Sequence, residues 1–121
     1  MKSLRETIGK IPIFSGLTPE DQAKLLNKME ERSFSAGAII FSQGDPSDAF
    51  YFIESGAVQV AVKGAAARPE AVSVLGPQRW FAERGLVTGQ LRSATVTTVK
   101  ETVLWKLSRG AWDEVVKRRL S

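Results

Sequence analysis

The sequence predicts a mainly β fold: an antiparallel β-roll of the double-stranded β-helix or jelly-roll type, with helices at both ends. Three observations lead to this prediction. From position 34 onward, short apolar runs alternate with Gly, Pro, Asp and Ser turns at intervals of roughly 8–12 residues. Helix signals are confined to the two ends of the chain. The 121 residues suffice for one hydrophobic core, so we expect a single domain over residues 1–121.

The N-terminal part contains a clear helix start. Thr18 is a suitable N-cap and Pro19 suits the first helical position, where the missing N–H removes no hydrogen bond. Acidic residues follow in the first turn, where the helix dipole favours them. An apolar stripe then predicts a helix that ends near Arg32. Residues 11–14 before it indicate an earlier helix or turn that packs onto the domain.

The middle of the chain predicts strands, and its end predicts a helix. The expected strands are residues 39–41, 50–53, 57–62, 71–75, 93–99 and 102–107. The segment 109–120 is predicted to be helical, with Trp112, Val115, Val116 and Leu120 on one face. One interval, 83–91, lacks strand alternation and predicts a short helical turn and loop inserted between two strands. Such insertions commonly carry function.

Composition excludes several classes of protein. The chain has no Cys and no His, which removes the usual zinc sites, thiol nucleophiles and His-based catalysis. We therefore expect no catalytic residues, no metal site and no enzyme. The lack of Cys and the charged N-terminus favour the cytoplasm. No apolar run reaches the roughly 20 residues of a membrane span, and the net charge of +4 is scattered, which argues against nucleic-acid binding.

The inserted interval combines groups that suit an anionic sugar. A helix beginning after Glu83 offers unpaired N–H groups and partial positive charge, and Gly85 permits close approach to the backbone. Arg92 adds a planar cationic donor set that matches phosphate oxygens. Glu83 can accept a hydrogen bond from a sugar hydroxyl. The residues therefore favour a sugar phosphate as ligand.

Residues 80–86, followed by 92–95, resemble the phosphate-binding cassette of cyclic-nucleotide-binding domains. The separation from Glu83 to Arg92 matches that cassette. Further resemblance lies in residues 37–41, 43–45, 48–53, 56 and 75–77. This family includes regulatory subunits of cyclic-nucleotide-dependent kinases, gated channels and bacterial catabolite-activator-type regulators.

The resemblance implies a role for each cassette residue. Glu83 is expected to bind the ribose 2′-hydroxyl and Arg92 the cyclic phosphate, within the short phosphate-binding helix of the family. The backbone N–H groups of Gly85 and Leu86, together with Ser93, are expected to complete the phosphate cradle. Ala82 precedes them in the same site.

The resemblance also implies a ligand and a partner. The base is expected to lie against Val60, Val72 and Leu75, and cyclic AMP is favoured over cyclic GMP. No other cofactor is expected. Many relatives continue into a further helix and an output domain, so the expected partner is an effector protein or a fused output domain.

Two departures from the family pattern keep an alternative open. The family usually has Gly at the position of Ala82, and often at that of Gln78. A degenerate β-roll that has lost its ligand and serves as a protein-interaction module is therefore the alternative. A structural ion pair between Glu83 and Arg92 is a further alternative for those two residues. A cupin-like enzyme is excluded because its metal site normally needs His.

Overall fold

The computed structural model describes residues 2–64, 69–83, 86 and 91–117. The helices are α1 (Lys2–Thr7), a 3₁₀ turn (Ile8–Lys10), α2 (Pro12–Ser15), α3 (Pro19–Asn27) and α4 (Arg109–Trp112), which continues as a π-helical turn (Asp113–Lys117). The strands are β1 (Glu30–Phe34), β2 (Ile39–Phe41), β3 (Ala49–Ser55), β4 (Val58–Lys63), β5 (Pro69–Leu75), β6 (Trp80–Phe81), β7 (Thr95–Thr98) and β8 (Thr102–Ser108).

The eight strands form two four-stranded sheets with the orders β1-β8-β3-β6 and β2-β7-β4-β5. Every pairing is antiparallel. The mainly antiparallel β-roll with flanking helices is therefore confirmed. No helix among the described residues has the length and apolar character to cross a membrane.

The start of α3 is as predicted, but its end is not. The Thr18 Oγ1 accepts a hydrogen bond from the Asp21 N–H at 3.2 Å, and Pro19 occupies the first turn. The predicted end near Arg32 is wrong, because the helix stops at Asn27 and residues 30–34 form β1. Long-range pairing with β8 recruits this polar segment into a sheet. Local helical periodicity cannot reveal such a partner.

The C-terminal segment departs from the single helix predicted for 109–120. The Ser108 hydroxyl accepts from the Ala111 N–H at 3.1 Å and caps α4. After Trp112 the helix widens into the π-helical turn. Trp112 and Val115 are buried as predicted, whereas residues 118–120 lie outside the described part of the chain.

Two buried clusters lie on opposite faces of the β1-β8-β3-β6 sheet, because neighbouring strand residues point to opposite sides. The helix-side cluster consists of Leu4, Ile8, Ile11, Phe14, Leu25, Leu26, Met29, Phe50, Phe52, Leu86, Leu107, Trp112 and Val115. The roll-interior cluster consists of Ala49, Tyr51, Ile53, Val58, Phe81, Val96 and Leu104. The candidate site opens from the roll interior.

Candidate functional site

A cavity of about 140 Å³ lies between the two sheets, near the start of β7. Its described walls come from β2 and the loop after it, from β4, from β6 and the residue after it, and from β7 and the segment leading into it. The lining residues are Phe41, Ser47, Val60, Phe81, Ala82, Arg92, Ser93, Ala94 and Val96. Most of the wall is apolar, with one guanidinium and two hydroxyls, which is the composition of a small-ligand site.

The backbone of Arg92 is tied to the loop after β2. The Arg92 N–H donates to the Asp45 carbonyl at 2.7 Å, and the Gly44 N–H donates to the Arg92 carbonyl at 2.8 Å. Gly44 has a φ of 93°, a conformation that glycine adopts without a steric penalty. This reciprocal pair fixes where the arginine side chain enters the roll.

The Arg92 side chain is buried, with the residue only 5% exposed. Its Nη2 donates to the Ala49 carbonyl at 3.0 Å and lies 3.3 Å from Asp48 Oδ1. The guanidinium carbon lies 4.2 Å from the centroid of the Phe41 ring. The charge is therefore held by a carbonyl, an exposed carboxylate and an aromatic face.

Two charged side chains, one on the cavity wall and one directly after the wall residue Ala82, carry buried atoms without a hydrogen-bond partner. They are Glu83 Oε2 and Arg92 Nε, for which the described part of the chain supplies no partner. Residues 83 and 92 form no ion pair with each other within that part, because Arg92 pairs with Asp48 instead. A buried polar group left unpaired is costly, so these atoms favour an external partner.

The chain on either side of β6 adopts a left-handed backbone conformation. Gln78 and Ala82 both have a φ of 67°, and they are the non-glycine residues with positive φ among those described. A side chain in this conformation costs roughly 1–2 kcal/mol relative to an ordinary one. The two positions that depart from the family's glycine pattern therefore keep the backbone shape that glycine favours.

The structure brings together four of the predicted binding residues: Val60, Ala82, Arg92 and Ser93 all line the cavity. Leu86 is 2% exposed and belongs to the helix-side cluster.

The remaining predicted residues lie elsewhere. Glu83 directly follows Ala82 and is half-buried, but it is not among the described residues that line the cavity. Leu75 packs at the edge of the roll-interior cluster. Val72 is 53% exposed on β5 and does not belong to the described walls of the cavity. Gly85 lies outside the described residues.

Five lining residues had no predicted ligand contact, although two of them, Phe81 and Ala94, lie in the cassette segments: Phe41, Ser47, Phe81, Ala94 and Val96. The apolar members looked like ordinary strand residues of the core. The proximity of Ser47 to the turn at residues 44–46 was the one local signal that could have placed it near a ligand.

Among the described residues, Tyr51 is a titratable group with a clearly shifted pKa. Burial raises the pKa of its phenol above the ordinary 10.0, while the neighbouring Arg92 cation acts in the opposite direction and Asp48 reinforces the rise. The Tyr51 and Phe81 rings stack with centroids 5.2 Å apart. The Tyr51 ring is thus packed in the roll-interior cluster, next to Phe81 and Phe41.

A buried arginine beside a mostly apolar cavity in a β-roll is the arrangement of a domain suited to a small anionic ligand. The family model described as cyclic nucleotide-binding domain matches residues 31–119. The chain belongs to this family.

Similar proteins and solved structures align with most of this chain. A cAMP-dependent protein kinase regulatory subunit of Dictyostelium discoideum is 32% identical over 98% of this chain and 39% of its own length. The regulatory domain of Toxoplasma gondii PKA, solved with cAMP, superposes with a TM-score of 0.85 at 26% identity, covering 98% of this chain and 45% of that one. The Thermus thermophilus Catabolite Activator Protein has a TM-score of 0.76 at 31% identity, with coverages of 89% and 51%. The chain thus spans about half or less of these relatives.

Proposed function

We propose that this domain is a regulatory sensor that binds cyclic AMP in preference to cyclic GMP. Arg92 holds the cyclic phosphate, and Glu83 accepts a hydrogen bond from the ribose 2′-hydroxyl. The backbone N–H groups of Gly85 and Leu86 and the hydroxyl of Ser93 complete the phosphate cradle. The base lies against apolar strand residues, for which Val60 on the cavity wall is the best placed.

The observation that carries this proposal is the pair of unpaired buried atoms. Arg92 Nε is a cationic donor and Glu83 Oε2 is an anionic acceptor. A ligand that satisfies both must carry an anionic acceptor and a hydrogen-bond donor, as the phosphate and the 2′-hydroxyl of a ribose cyclic phosphate are. The preference for cyclic AMP is supported by the relatives whose names and solved complexes specify this nucleotide.

Leu86 connects the proposed binding site to the helices. It lies in the helix-side cluster together with Phe14, Phe50 and Trp112. The Phe14 ring lies 5.2 Å from that of Phe50 and 5.6 Å from that of Trp112, in edge-to-face contacts. Movement of the Leu86 side chain toward bound phosphate therefore alters the packing of α4.

The C-terminal turn is also tied to α3. Lys28 Nζ lies 2.6 Å from Glu114 Oε2 across the surface. A ligand shifts this arrangement only through a difference in affinity between the two packings. The output is an effector protein or a further domain that responds to the position of these helices.

Calorimetric titration with cyclic AMP and cyclic GMP tests the binding function. We expect wild-type protein to bind cyclic AMP more tightly, and Arg92→Gln to weaken binding by at least about a hundredfold, the effect of losing a charged hydrogen bond. Arg32→Gln is the matched control, because Arg32 is exposed and pairs with Glu30. Circular dichroism verifies that each variant folds. Absence of heat with both nucleotides would refute the sensor.

The second candidate is a ligand-free protein-interaction module. The positive φ at Ala82 and Gln78 favours it, since side chains there strain the backbone beside the site. Ala82→Gly discriminates between the two functions. The sensor predicts that this variant binds cyclic AMP more tightly, because the cavity gains room and the backbone relaxes. A wild-type protein and an Ala82→Gly variant that both fail to bind would support the interaction module.

A further inference from the structure

The Arg92 guanidinium lies over the face of an aromatic ring. Its central carbon lies 4.2 Å from the centroid of Phe41, well within the distance of roughly 6 Å at which a cation is attracted to a ring face. Phe41 is half-buried and lines the same cavity as Arg92. The ring and the cation therefore meet in the wall of the candidate site.

The Phe41 ring is itself held by two others. Its centroid lies 6.0 Å from that of Tyr51 and 6.0 Å from that of Phe81. Tyr51 and Phe81 stack on each other with an interplanar angle of 14°. Because these rings come from β2, β3 and β6, strands of both sheets fix the platform beneath the cation.

The remaining contacts of the guanidinium restrict it further. Nη2 is occupied by the Ala49 carbonyl and the Asp48 carboxylate, whereas Nε is buried and finds no partner in the described part of the chain. The ring face against the guanidinium carbon and the two acceptors at Nη2 together restrict the orientation of the group. The unpaired N–H then has a fixed position.

We propose that Phe41 is a positioning residue, whose ring holds the Arg92 guanidinium in the orientation that keeps Nε available to an anionic oxygen. The role in ligand binding rests on the proposed function, whereas the contact itself belongs to the free protein. A side chain that is already ordered loses less conformational entropy when the ligand binds. An aliphatic residue at position 41 would keep the apolar volume and lose the ring face.

Three variants of the full chain separate these contributions. Phe41→Leu removes the ring, Phe41→Tyr keeps it, and Phe34→Leu makes the same change at a residue of the roll interior that is not part of the described cavity wall. In titrations with cyclic AMP, we expect Phe41→Leu to raise the Kd roughly fivefold, the size of one cation–π contact. Phe41→Tyr and Phe34→Leu should remain within about twofold. A Phe41→Leu Kd equal to that of wild type overturns the proposal.

The Arg92 Nε–H resonance in the NMR spectrum tests positioning without any ligand. It is identified by its loss in Arg92→Gln. If the Phe41 ring holds the guanidinium, the Arg92 Nε–H proton should exchange slowly with water and its chemical shift should be displaced by the ring, both in wild type and in Phe41→Tyr. Both properties should be lost in Phe41→Leu. A resonance that Phe41→Leu leaves unchanged overturns the proposal, whether or not nucleotide binds. A ring-dependent resonance in a protein that binds no cyclic nucleotide supports the positioning of Arg92 and refutes only the proposed function.

Discussion

Buried polar groups at the two ends of β7 differ in whether the described chain supplies their hydrogen-bond partners. At its C-terminal end, Thr98 is 2% exposed and its hydroxyl both donates to the Ser35 carbonyl at 2.6 Å and accepts from the Ala38 N–H at 2.9 Å. Before its N-terminal end, Arg92 is nearly as buried, yet its Nε finds no acceptor among the described residues. At these two positions, the buried hydroxyl of Thr98 is satisfied within the chain, whereas the buried guanidinium of Arg92 keeps one N–H without an acceptor among the described residues.

Across the turn that follows β7, the first residue of β8 also has a hydroxyl with its hydrogen bonds satisfied. Thr102 is fully buried, and its hydroxyl donates to the Lys100 carbonyl at 2.7 Å and accepts from the Ala57 N–H at 3.3 Å. Gly56 packs directly against Thr102, leaving no space for a side chain. This comparison predicts that substitutions at the threonine end alter stability alone, whereas substitutions at the arginine end alter ligand binding.

The largest effect is expected at Gly56. A Cβ there would collide with the Glu101 carbonyl and with Thr102, and the φ of 92° disfavours any side chain. We expect Gly56→Ala to lower the free energy of unfolding by about 3 kcal/mol, combining overpacking with backbone strain. Gly37→Ala is the control, because Gly37 has a φ of 80° but open space around it. If urea unfolding showed the same decrease in the free energy of unfolding for both variants, the close contact at Gly56 would make no contribution to the loss of stability.

Thr102→Val should produce the next largest loss. The variant keeps the shape of the side chain but leaves the Ala57 N–H without its hydroxyl acceptor. We expect about 2 kcal/mol of destabilisation, the cost of an unsatisfied buried donor. The affinity for cyclic AMP should not change. Thr97→Val is the control, the same change on β7 of the other sheet at a residue without full burial. A changed Kd would contradict the division of roles between the two ends.

Unlike the two preceding variants, Glu83→Gln should make the free protein more stable. The carboxylate oxygen Oε2 is buried without a partner, so replacing the charge with a neutral amide removes a penalty in the free protein. We expect the free energy of unfolding to rise by up to about 1 kcal/mol while the Kd for cyclic AMP rises at least about tenfold. Glu101→Gln, at an exposed position, serves as the control. A destabilised variant would indicate that the chain already satisfies Glu83.

The smallest effect concerns pH. Burial raises the pKa of Tyr51, so the folded protein retains its phenolic proton above the ordinary pKa of 10.0. The stability due to this group is complete below about pH 10 and is lost as the pH rises through the folded pKa. Tyr51 is the only tyrosine, so near-ultraviolet absorbance follows its ionisation directly. Tyr51→Phe should reduce the alkaline loss of stability. An unshifted phenol titration would contradict the burial of Tyr51 in the roll interior.

Local signals in the sequence were sufficient for much of the architecture. Thr18 and Pro19 identified the start of α3, and turn residues separated the main strands. The helix end near Arg32 was wrong because β1 depends on a partner strand about 70 positions away in sequence, and β6 was missed because two residues carry no periodicity.

The charged residues of the site could be named from their spacing, but their surroundings could not. Asp48, the ion-pair partner of Arg92, lies 44 residues earlier in the chain. In the sequence, Phe41 resembles an ordinary core residue of a strand. Only the structure shows that its ring lies beneath the Arg92 guanidinium. Ala82 and Gln78 were recognised as departures from glycine, and their positive φ gives those departures a physical consequence.

A crystal structure of the protein with cyclic AMP tests the central claim most directly. We predict a phosphate oxygen within about 2.7–3.2 Å of Arg92 Nε, and the ribose 2′-hydroxyl at a similar distance from Glu83 Oε2. The hydrogen bonds of Thr98 and Thr102 should be unchanged. A nucleotide bound elsewhere, or one seated in the cavity with both atoms still unpaired, would contradict the account.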